Sequence, residues 1–298
     1  MFSGVREAVM PIALAGASAD GDLERGLLML DSLAAFWSGP QPLALSVVAR
    51  SRDVETVTEA FSGRSGRIQI AVVDELQIVD DHRQFERLSG WWKQQYLKLA
   101  FSKIATTDCY LTFDADVVAI RPFDEATFIR DGQLVSQMEY ESTQSWWRNC
   151  SAIFGFPYNA DQLGLSVTPN LLSTEIARLA ESFPSTFGVS SLRRLADLTS
   201  VRMDGVPWTE YSLYTKVGRA AGLFEAYHYP PEAAVALPQK LHSSRNVWSA
   251  EQAVGLEEFF NEDVGGYFAI FQSTSGVSVT DVRRLVFERA KSRHDIGN

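Results

Sequence analysis

Apolar strand patterns alternate with amphipathic helix patterns through the first 113 residues of this chain. Over residues 22–36, apolar side chains recur every three or four positions, which is typical of a helix that buries one face, with Asp22 at its N-cap. Strands that alternate with helices usually pair in parallel, so the pattern predicts an α/β fold with a mainly parallel sheet flanked by helices. The predicted strands are residues 8–17, 43–49, 68–73 and 109–113.

The fourth predicted strand leads directly into two aspartates, Asp114 and Asp116, in the segment CYLTFDADVV. Side chains two residues apart in an extended chain point the same way, so both carboxylates would face one crevice. In open α/β sheets, ligands bind in the crevice beyond the carboxyl ends of the strands. Mg²⁺ and Mn²⁺ prefer oxygen ligands and often bind one or two carboxylates together with substrate phosphates. The spacing therefore indicates a metal and phosphate site.

The pattern changes after residue 120, where aromatic and turn-forming residues become frequent. No repeat, low-complexity tract or long linker interrupts the sequence, which predicts a single domain over residues 1–298. Its nucleotide-binding half would be residues 1–120 and its acceptor-binding half residues 121–298. The remaining predicted strands are residues 133–138 and 266–272, and the predicted helices are residues 22–36, 53–61, 91–104, 171–183, 190–198, 210–217 and 279–291.

The composition excludes several classes of function. Apolar residues make up 46% of the 298 positions, enough for a full core, and a net charge of −10 disfavours a nucleic-acid partner. No apolar run is long enough for a membrane-spanning helix. The apolar N-terminal segment leads straight into a helix, unlike a secretory signal, and the two cysteines, Cys109 and Cys150, fit buried thiols in a reducing compartment. A cytoplasmic protein is expected, and nothing in the sequence indicates an oligomeric state.

Taken together, these features resemble the GT-A glycosyltransferases of the nucleotide-diphospho-sugar transferase superfamily, most closely a bacterial branch of it. The similarity rests on the strand with its Asp-x-Asp motif and on the segments GWWKQQYLKLAFSKI, WTEYSLY and GYFAIFQS. The resemblance implies that Asp116 binds Mn²⁺ or Mg²⁺ and that Asp114 contacts the metal or the ribose. It also implies that Gln94 or Gln95, together with Lys98, faces the nucleotide; the alternative is a solvated stripe of the helix.

The same resemblance implies the two substrates. The donor would be a nucleoside-diphosphate sugar of the UDP or GDP type. The acceptor would be a glycan, a lipid-linked saccharide or a small molecule in the synthesis of bacterial surface polysaccharide. That last step rests on analogy between proteins of one fold, which does not fix a substrate.

Several polar residues are candidates for the donor site and the chemistry. Glu210 is a candidate general base that would deprotonate an acceptor hydroxyl if the transfer inverts the anomeric centre. The alternative is a carboxylate that stabilises the first turn of a helix. His242 is a candidate third metal ligand or a loop histidine. Ser18, Asp22 and Arg50 follow the first two predicted strands and are candidate contacts of the nucleotide, with a helix cap as the alternative for Asp22.

An acceptor site is predicted from aromatic residues in the second half of the chain. Flat apolar rings stack on sugars, although aromatic residues pack in a core in the same way. The candidates are Trp147, Trp208 and Tyr211, with Thr168 from a nearby turn.

Two other functions fit some of the same residues. In a phosphatase of the haloacid-dehalogenase type, Asp114 would be the nucleophile and Asp116 the general acid. That motif normally follows the first strand, whereas three strand–helix units precede it here. The second alternative is a non-catalytic protein that binds a sugar nucleotide. The signature of glycogenin-like retaining enzymes and the Glu-Asp pair of many inverting enzymes are both missing from the sequence, so the stereochemistry of transfer stays open.

Overall fold

The computed structural model describes residues 2, 4–14, 19–64, 66–235, 241, 246–253 and 266–294. Four strands of the central sheet are parallel: β1 (Glu7–Ile12), β2 (Leu43–Ala49), β3 (Ile68–Asp74) and β4 (Cys109–Thr112). A fifth strand, β10 (Asn170–Ser173), runs antiparallel beside β4. The strand order is β10-β4-β1-β2-β3, so the predicted α/β fold with a mainly parallel sheet is confirmed.

Helical connections join the parallel strands. α1 (Ala19–Phe36) leads from β1 to β2, and α2 (Val54–Phe61) leads from β2 to β3. The third connection contains α3 (His82–Phe85) and α4 (Gly90–Ala100) and returns across the sheet, so that β4 pairs with β1. The strand order therefore reverses between β1 and β4, which is the position at which open α/β sheets bind ligands.

The second half of the chain extends this sheet and covers it. β5 (Val117–Ala119) follows the Asp-x-Asp segment and pairs in antiparallel register with the late strand β11 (Phe268–Ile270). Two further antiparallel pairs are β6 (Ile129–Arg130) with β7 (Gln133–Leu134), and β8 (Met138–Tyr140) with β9 (Leu163–Leu165). The remaining α-helices of the described chain are α5 (Glu125–Phe128), α6 (Ser145–Phe154), α7 (Thr174–Ser182), α8 (Ser191–Leu198), α9 (Glu210–Ala220), α10 (Phe224–Tyr227), α11 (Pro231–Val235) and α12 (Val279–His294).

Apolar side chains pack against both faces of the central sheet. Successive residues of β1 alternate between the faces, because Ala8 and Met10 belong to one apolar cluster and Val9 to the other. α1 and α12 contact each other on the first face, and α4, α7 and α9 lie on the second. The carboxyl ends of β1 and β4 thus lie between two packed layers. None of the described helices is long and apolar enough to cross a membrane.

The predicted bounds of several elements are wrong. The first strand, predicted to reach residue 17, ends at Ile12. The sequence predicts a helix from residue 171, but α7 begins at Thr174 because the preceding residues form β10 beside β4. Leu171 and Leu172 suit a buried strand or a buried helix equally, and periodicity cannot separate the two in so short a run. The strand predicted at residues 133–138 is divided between β7 and β8. α1 begins at Ala19, so Asp22 lies inside the helix and is not its N-cap. The single domain stays a prediction.

Candidate active site

A cleft of about 510 Å³ opens where the strand order reverses, beyond the carboxyl end of β4. One group of lining residues comes from α1 and from the segment after β11, which contact each other. A second group comes from α4, from the residues around the start of α6 and from the first turn of α9. The side chains that line the cleft include Asp22, Arg25, Trp91, Gln94, Gln95, Asp114, Asp116, Gln144, Trp146, Ser166, Thr168, Thr209, Glu210, Tyr211, Trp248, Gln272 and Ser273.

The Asp-x-Asp loop is held from both sides by backbone hydrogen bonds. The amide of Phe113 donates to the carbonyl of Val9 in β1 at 2.8 Å, and the amide of Phe271 donates to the carbonyl of Asp116 at 2.9 Å. Within the loop, the amide of Val117 donates to the carbonyl of Asp114 at 3.2 Å. Both aspartate side chains are half-buried and line the cleft. The structure therefore brings the two carboxylates into one crevice.

A buried lysine joins the Asp-x-Asp loop to α9. Nζ of Lys98, in α4, lies 2.6 Å from Oδ1 of Asp114 and donates a hydrogen bond to Oε1 of Glu210 at 2.8 Å. Burial alone would lower the pKa of Lys98, but the two carboxylates outweigh it and raise that pKa well above the usual lysine value. The Lys98 side chain is 1% exposed and does not line the cleft. The prediction that Lys98 faces the nucleotide is therefore corrected, because its ammonium is enclosed by Asp114 and Glu210.

The two aspartates of the motif differ in their charge environment. Asp114 contacts the Lys98 ammonium directly. Burial, together with the neighbouring Asp114 carboxylate, raises the pKa of Asp116 to about 7, and Lys98 and Arg25 offset this only in part. Burial also raises the pKa of Glu210, against the opposing effect of Lys98. Among the described residues, the carboxyl groups of the cleft are therefore only partly compensated by Lys98 and Arg25, and Asp116 is compensated least.

A divalent cation would fit this arrangement. In the part of the chain that the structure describes, no group of three or more histidine, cysteine, aspartate or glutamate side chains is placed to hold a metal ion. Mg²⁺ and Mn²⁺ do not need such a cage when one or two carboxylates act together with substrate phosphates. Asp116 offers the carboxylate whose charge is least compensated, and the candidate third ligand, His242, lies outside the described residues. Ser18 lies outside them as well.

The last residue of β4 organises the side of the cleft next to α9. Thr112 Oγ1 and the Tyr211 hydroxyl are 2.8 Å apart, and Thr168 Oγ1 donates to the carbonyl of Thr112 at 3.1 Å. Gln95 Oε1 accepts a hydrogen bond from the backbone amide of Glu210 at 3.3 Å. These contacts fix the first turn of α9 against β4 and α4, and they place Glu210, Tyr211 and Thr168 in the wall of the cleft.

On the other side, α1 and the segment after β11 supply polar groups. Asp22 and Arg25 lie one turn apart on α1 and line the cleft. Arg25 Nη2 donates to the carbonyl of Ser273 at 3.4 Å, and its charge acts to lower the pKa of Asp116. Arg25 therefore provides a positive charge near the Asp116 carboxylate.

Three of the predicted site residues lie elsewhere. Arg50 lines a separate cavity of about 370 Å³, together with Glu75 and Lys93, beyond the ends of β2 and β3. Trp147 and Trp208 are fully buried, so neither offers a free ring face to a sugar. Trp147 Nε1 donates to Glu139 Oε1 at 2.8 Å, and the ring of Trp208 packs on the ring of Trp92 with centroids 5.1 Å apart. The prediction of these two tryptophans as acceptor contacts is corrected accordingly.

The tryptophans that do line the cleft are Trp91, Trp146 and Trp248. For Trp146, the helical periodicity of α6 could have predicted that the ring faces away from the core. Trp147, Cys150 and Phe154 recur every three or four residues in α6 and are all buried, so the adjacent Trp146 must point away from that face. For Trp248 the sequence holds no comparable signal, because its place depends on the pairing of distant segments, as in the hydrogen bond from Val247 N to Ile270 O at 2.8 Å.

Comparisons with known proteins agree with this fold. A model described as "Family of unknown function (DUF6492)" matches residues 5–291. The chain belongs to this family. The crystal structure of mouse xyloside xylosyltransferase 1 in its apo form is similar, with a TM-score of 0.54 and 14% sequence identity over 91% of this chain and 99% of that one.

Galactosyltransferase LgtC, in complex with donor and acceptor sugar analogues, gives a TM-score of 0.49 and 11% identity over 95% of each chain. A comparison with curated proteins found no match. The xyloside xylosyltransferase is a GT-A-type glycosyltransferase, and at 14% identity its similarity shows that this chain shares the GT-A fold.

Proposed function

We propose that this protein is a divalent-metal-dependent glycosyltransferase that takes its sugar from a nucleoside-diphosphate sugar. The observation that carries the proposal is the unequal pair of carboxylates in the cleft. Asp114 lies 2.6 Å from the Lys98 ammonium, whereas burial and the Asp114 carboxylate raise the pKa of Asp116 to about 7, so the charged form of Asp116 is disfavoured in the absence of a further cation. A cation bound together with an anionic diphosphate would stabilise that charged form.

In this proposal, Asp116 holds the Mn²⁺ or Mg²⁺ ion, and Asp114 contacts the ion or the ribose. The ion would act as a Lewis acid that stabilises the negative charge of the departing nucleoside diphosphate. Lys98 keeps the Asp114 carboxylate in one orientation through the 2.6 Å contact. Arg25 is suited to a phosphate oxygen, since a guanidinium forms charge-assisted hydrogen bonds with phosphate. Asp22, on the same side of α1, is suited to the sugar hydroxyls of the nucleoside.

Transfer requires that an acceptor hydroxyl reach the anomeric carbon of the donor. The hydroxyl oxygen forms the new bond to that carbon, the bond from the carbon to the diphosphate oxygen breaks, and the hydroxyl proton passes to a base. Glu210 lines the cleft, and burial raises the pKa of its carboxyl. Glu210 is therefore our candidate for the base if the reaction inverts the anomeric centre. Its hydrogen bond to Lys98 would hold it in place.

An assay of nucleoside-diphosphate release tests the proposal. Purified protein would be incubated with a panel of UDP- and GDP-sugars, with Mn²⁺ or with a chelator, with and without mixed saccharide acceptors. We expect metal-dependent release from one class of donor, lost in Asp116→Asn and unchanged in Asp80→Asn, which alters an aspartate with an 84% exposed side chain outside the cleft. Release of phosphate from an aryl phosphate, without release from any sugar nucleotide, would instead support the phosphatase alternative.

A further inference from the structure

Trp91, in the first turn of α4, holds an unusually exposed ring in the cleft. Its side chain is 44% exposed and lines the cleft. The ring packs edge to face against Trp92 with centroids 4.7 Å apart, and Trp92 packs in turn on the buried ring of Trp208 at 5.1 Å. Three indole rings therefore form a continuous row from the core to the cleft. An exposed aromatic ring that is already fixed can bind a partner at little cost in conformational entropy.

Trp146 lies in the wall of the same cleft, next to the start of α6. Its neighbour Trp147 is buried and donates a hydrogen bond to Glu139 Oε1 at 2.8 Å, and Ser166 Oγ donates to Glu139 Oε2 at 3.2 Å. Burial raises the pKa of Glu139, and hydrogen bonds from Trp147, Ser166 and Trp146 oppose that rise. Glu139 thereby fixes Trp147, and the adjacent Trp146 lines the cleft.

Apart from the Glu139 carboxylate, which is already bonded to Trp147 and Ser166, the described polar side chains beside these two rings in the cleft are neutral amides. Gln94 and Gln95 come from α4, and Gln144 comes from the residue before α6. The charged side chains among the described lining residues lie on α1, on the Asp-x-Asp loop and at Glu210. Amide groups donate and accept hydrogen bonds without a net charge, which suits sugar hydroxyls. Among the described residues that line the cleft, none on this side is a lysine or arginine, so an anionic group bound there would lose its hydration without gaining a cation from them.

We infer that the acceptor is an uncharged saccharide whose terminal ring stacks on Trp91, with Trp146 beside it and the glutamine amides bound to its hydroxyls. This inference rests on the proposed function, because only in a sugar transferase does the cleft hold an acceptor next to Asp116. It assigns acceptor recognition to α4 and the start of α6. The donor is bound by α1, the Asp-x-Asp loop and the segment after β11.

Direct binding measurements test this inference. Lactose, maltose and cellobiose, and the anionic saccharides digalacturonate and 3′-sialyllactose, would be titrated into the protein and followed by calorimetry and tryptophan fluorescence. We expect at least one neutral disaccharide to bind more tightly than either anionic one. Trp91→Ala should weaken that binding about tenfold, and Trp91→Phe should restore most of it. The control Tyr158→Ala alters a side chain that is 43% exposed outside the cleft, and it should bind like the wild type.

The results of these experiments can contradict the inferred acceptor site and the proposed donor site independently. Unchanged saccharide affinity in Trp91→Ala, tighter binding of the anionic saccharides, or no binding of any neutral one would overturn the inference. Binding of UDP and GDP with Mn²⁺ would be measured on the same samples. Its absence in the wild type, with saccharide binding intact, would contradict the proposed function alone. Nucleotide affinity equal in wild type and Trp91→Ala would support separate donor and acceptor regions.

Discussion

Nζ of Lys98 lies 2.6 Å from Oδ1 of Asp114, so the first aspartate of the Asp-x-Asp motif is already engaged by α4. The same ammonium bonds Glu210 at 2.8 Å and thus ties the β4 loop to the first turn of α9. A fully buried cation with two carboxylate partners cannot be removed without leaving charges uncompensated. Lys98 therefore both stabilises the folded protein and holds Asp114 and Glu210 next to each other in the site.

Replacement of Lys98 by methionine should lower the free energy of unfolding by about 3–5 kcal/mol, because Glu210 and Asp114 would lose their shared cation. Chemical denaturation measures this change. The double variant Lys98→Met/Glu210→Gln removes one of the stranded carboxylates and should recover part of the loss. Equal stabilities of the wild type and Lys98→Met would show that the ion pair is not formed in solution.

Replacement of Glu210 by glutamine tests its role as a base. The amide keeps the shape of the side chain and its contact with Gln95 through the backbone, but it cannot accept a proton from the acceptor. We expect kcat for transfer to fall by about 10²–10⁴-fold with little change in nucleotide affinity. A transfer rate like that of the wild type would rule Glu210 out as the base and would leave it a partner of Lys98.

Replacement of Arg25 by alanine should weaken binding of the nucleoside diphosphate about tenfold, because a charge-assisted hydrogen bond to phosphate would be lost. Arg25→Lys should retain part of the affinity. Arg284→Ala is a matched control on the surface of α12, where the arginine side chain is 62% exposed. If Arg25→Ala and Arg284→Ala bind the nucleotide equally, Arg25 does not contact the diphosphate.

The pH dependence of stability should report His228. This histidine is fully buried, and its ring nitrogens lie 3.1 Å from Ser136 Oγ and 2.9 Å from the Tyr214 hydroxyl. Burial lowers its pKa from 6.5 to about 3, so the unfolded chain binds the proton first on acidification. The contribution of His228 to stability is therefore complete above pH 6.5 and is lost as the pH falls toward 3.

Denaturation of the wild type and of His228→Gln between pH 7 and pH 4.5 checks this expectation. The difference in unfolding free energy between the two proteins should shrink on acidification by up to about 1.4 kcal/mol per pH unit below 6.5. A difference that stays constant over this range would show that His228 is not held in its neutral form.

Much of the parallel sheet is predictable from the sequence because its strands are short, apolar and separated by helix patterns. β2 has the predicted bounds, Leu43–Ala49, and β4 ends one residue before the predicted end. The Asp-x-Asp motif is recognisable because a buried strand fixes which way its two carboxylates point. These features depend on local pattern and on the general topology of α/β sheets.

The parts of the site that sequence did not predict depend on tertiary packing. Arg50 follows β2, but it lines the cavity next to Glu75 and not the cleft of Asp116. In each Trp-Trp pair one ring packs more deeply than its neighbour, and composition cannot tell which ring is exposed. The sequence predicts a helix over the residues of β10, because the place of that strand beside β4 depends on a long-range pairing. Packing, and not residue type, decides these assignments.

The most direct test of the account is calorimetric binding of UDP and GDP to the wild type and to Asp116→Ala, with and without Mn²⁺. We predict that one of the two nucleotides binds only when Mn²⁺ is present, and that Asp116→Ala abolishes this binding without a loss of folded structure by circular dichroism. If neither nucleotide binds, or if binding is the same in Asp116→Ala, the proposed donor site is wrong and the carboxylates of the Asp-x-Asp motif have another role.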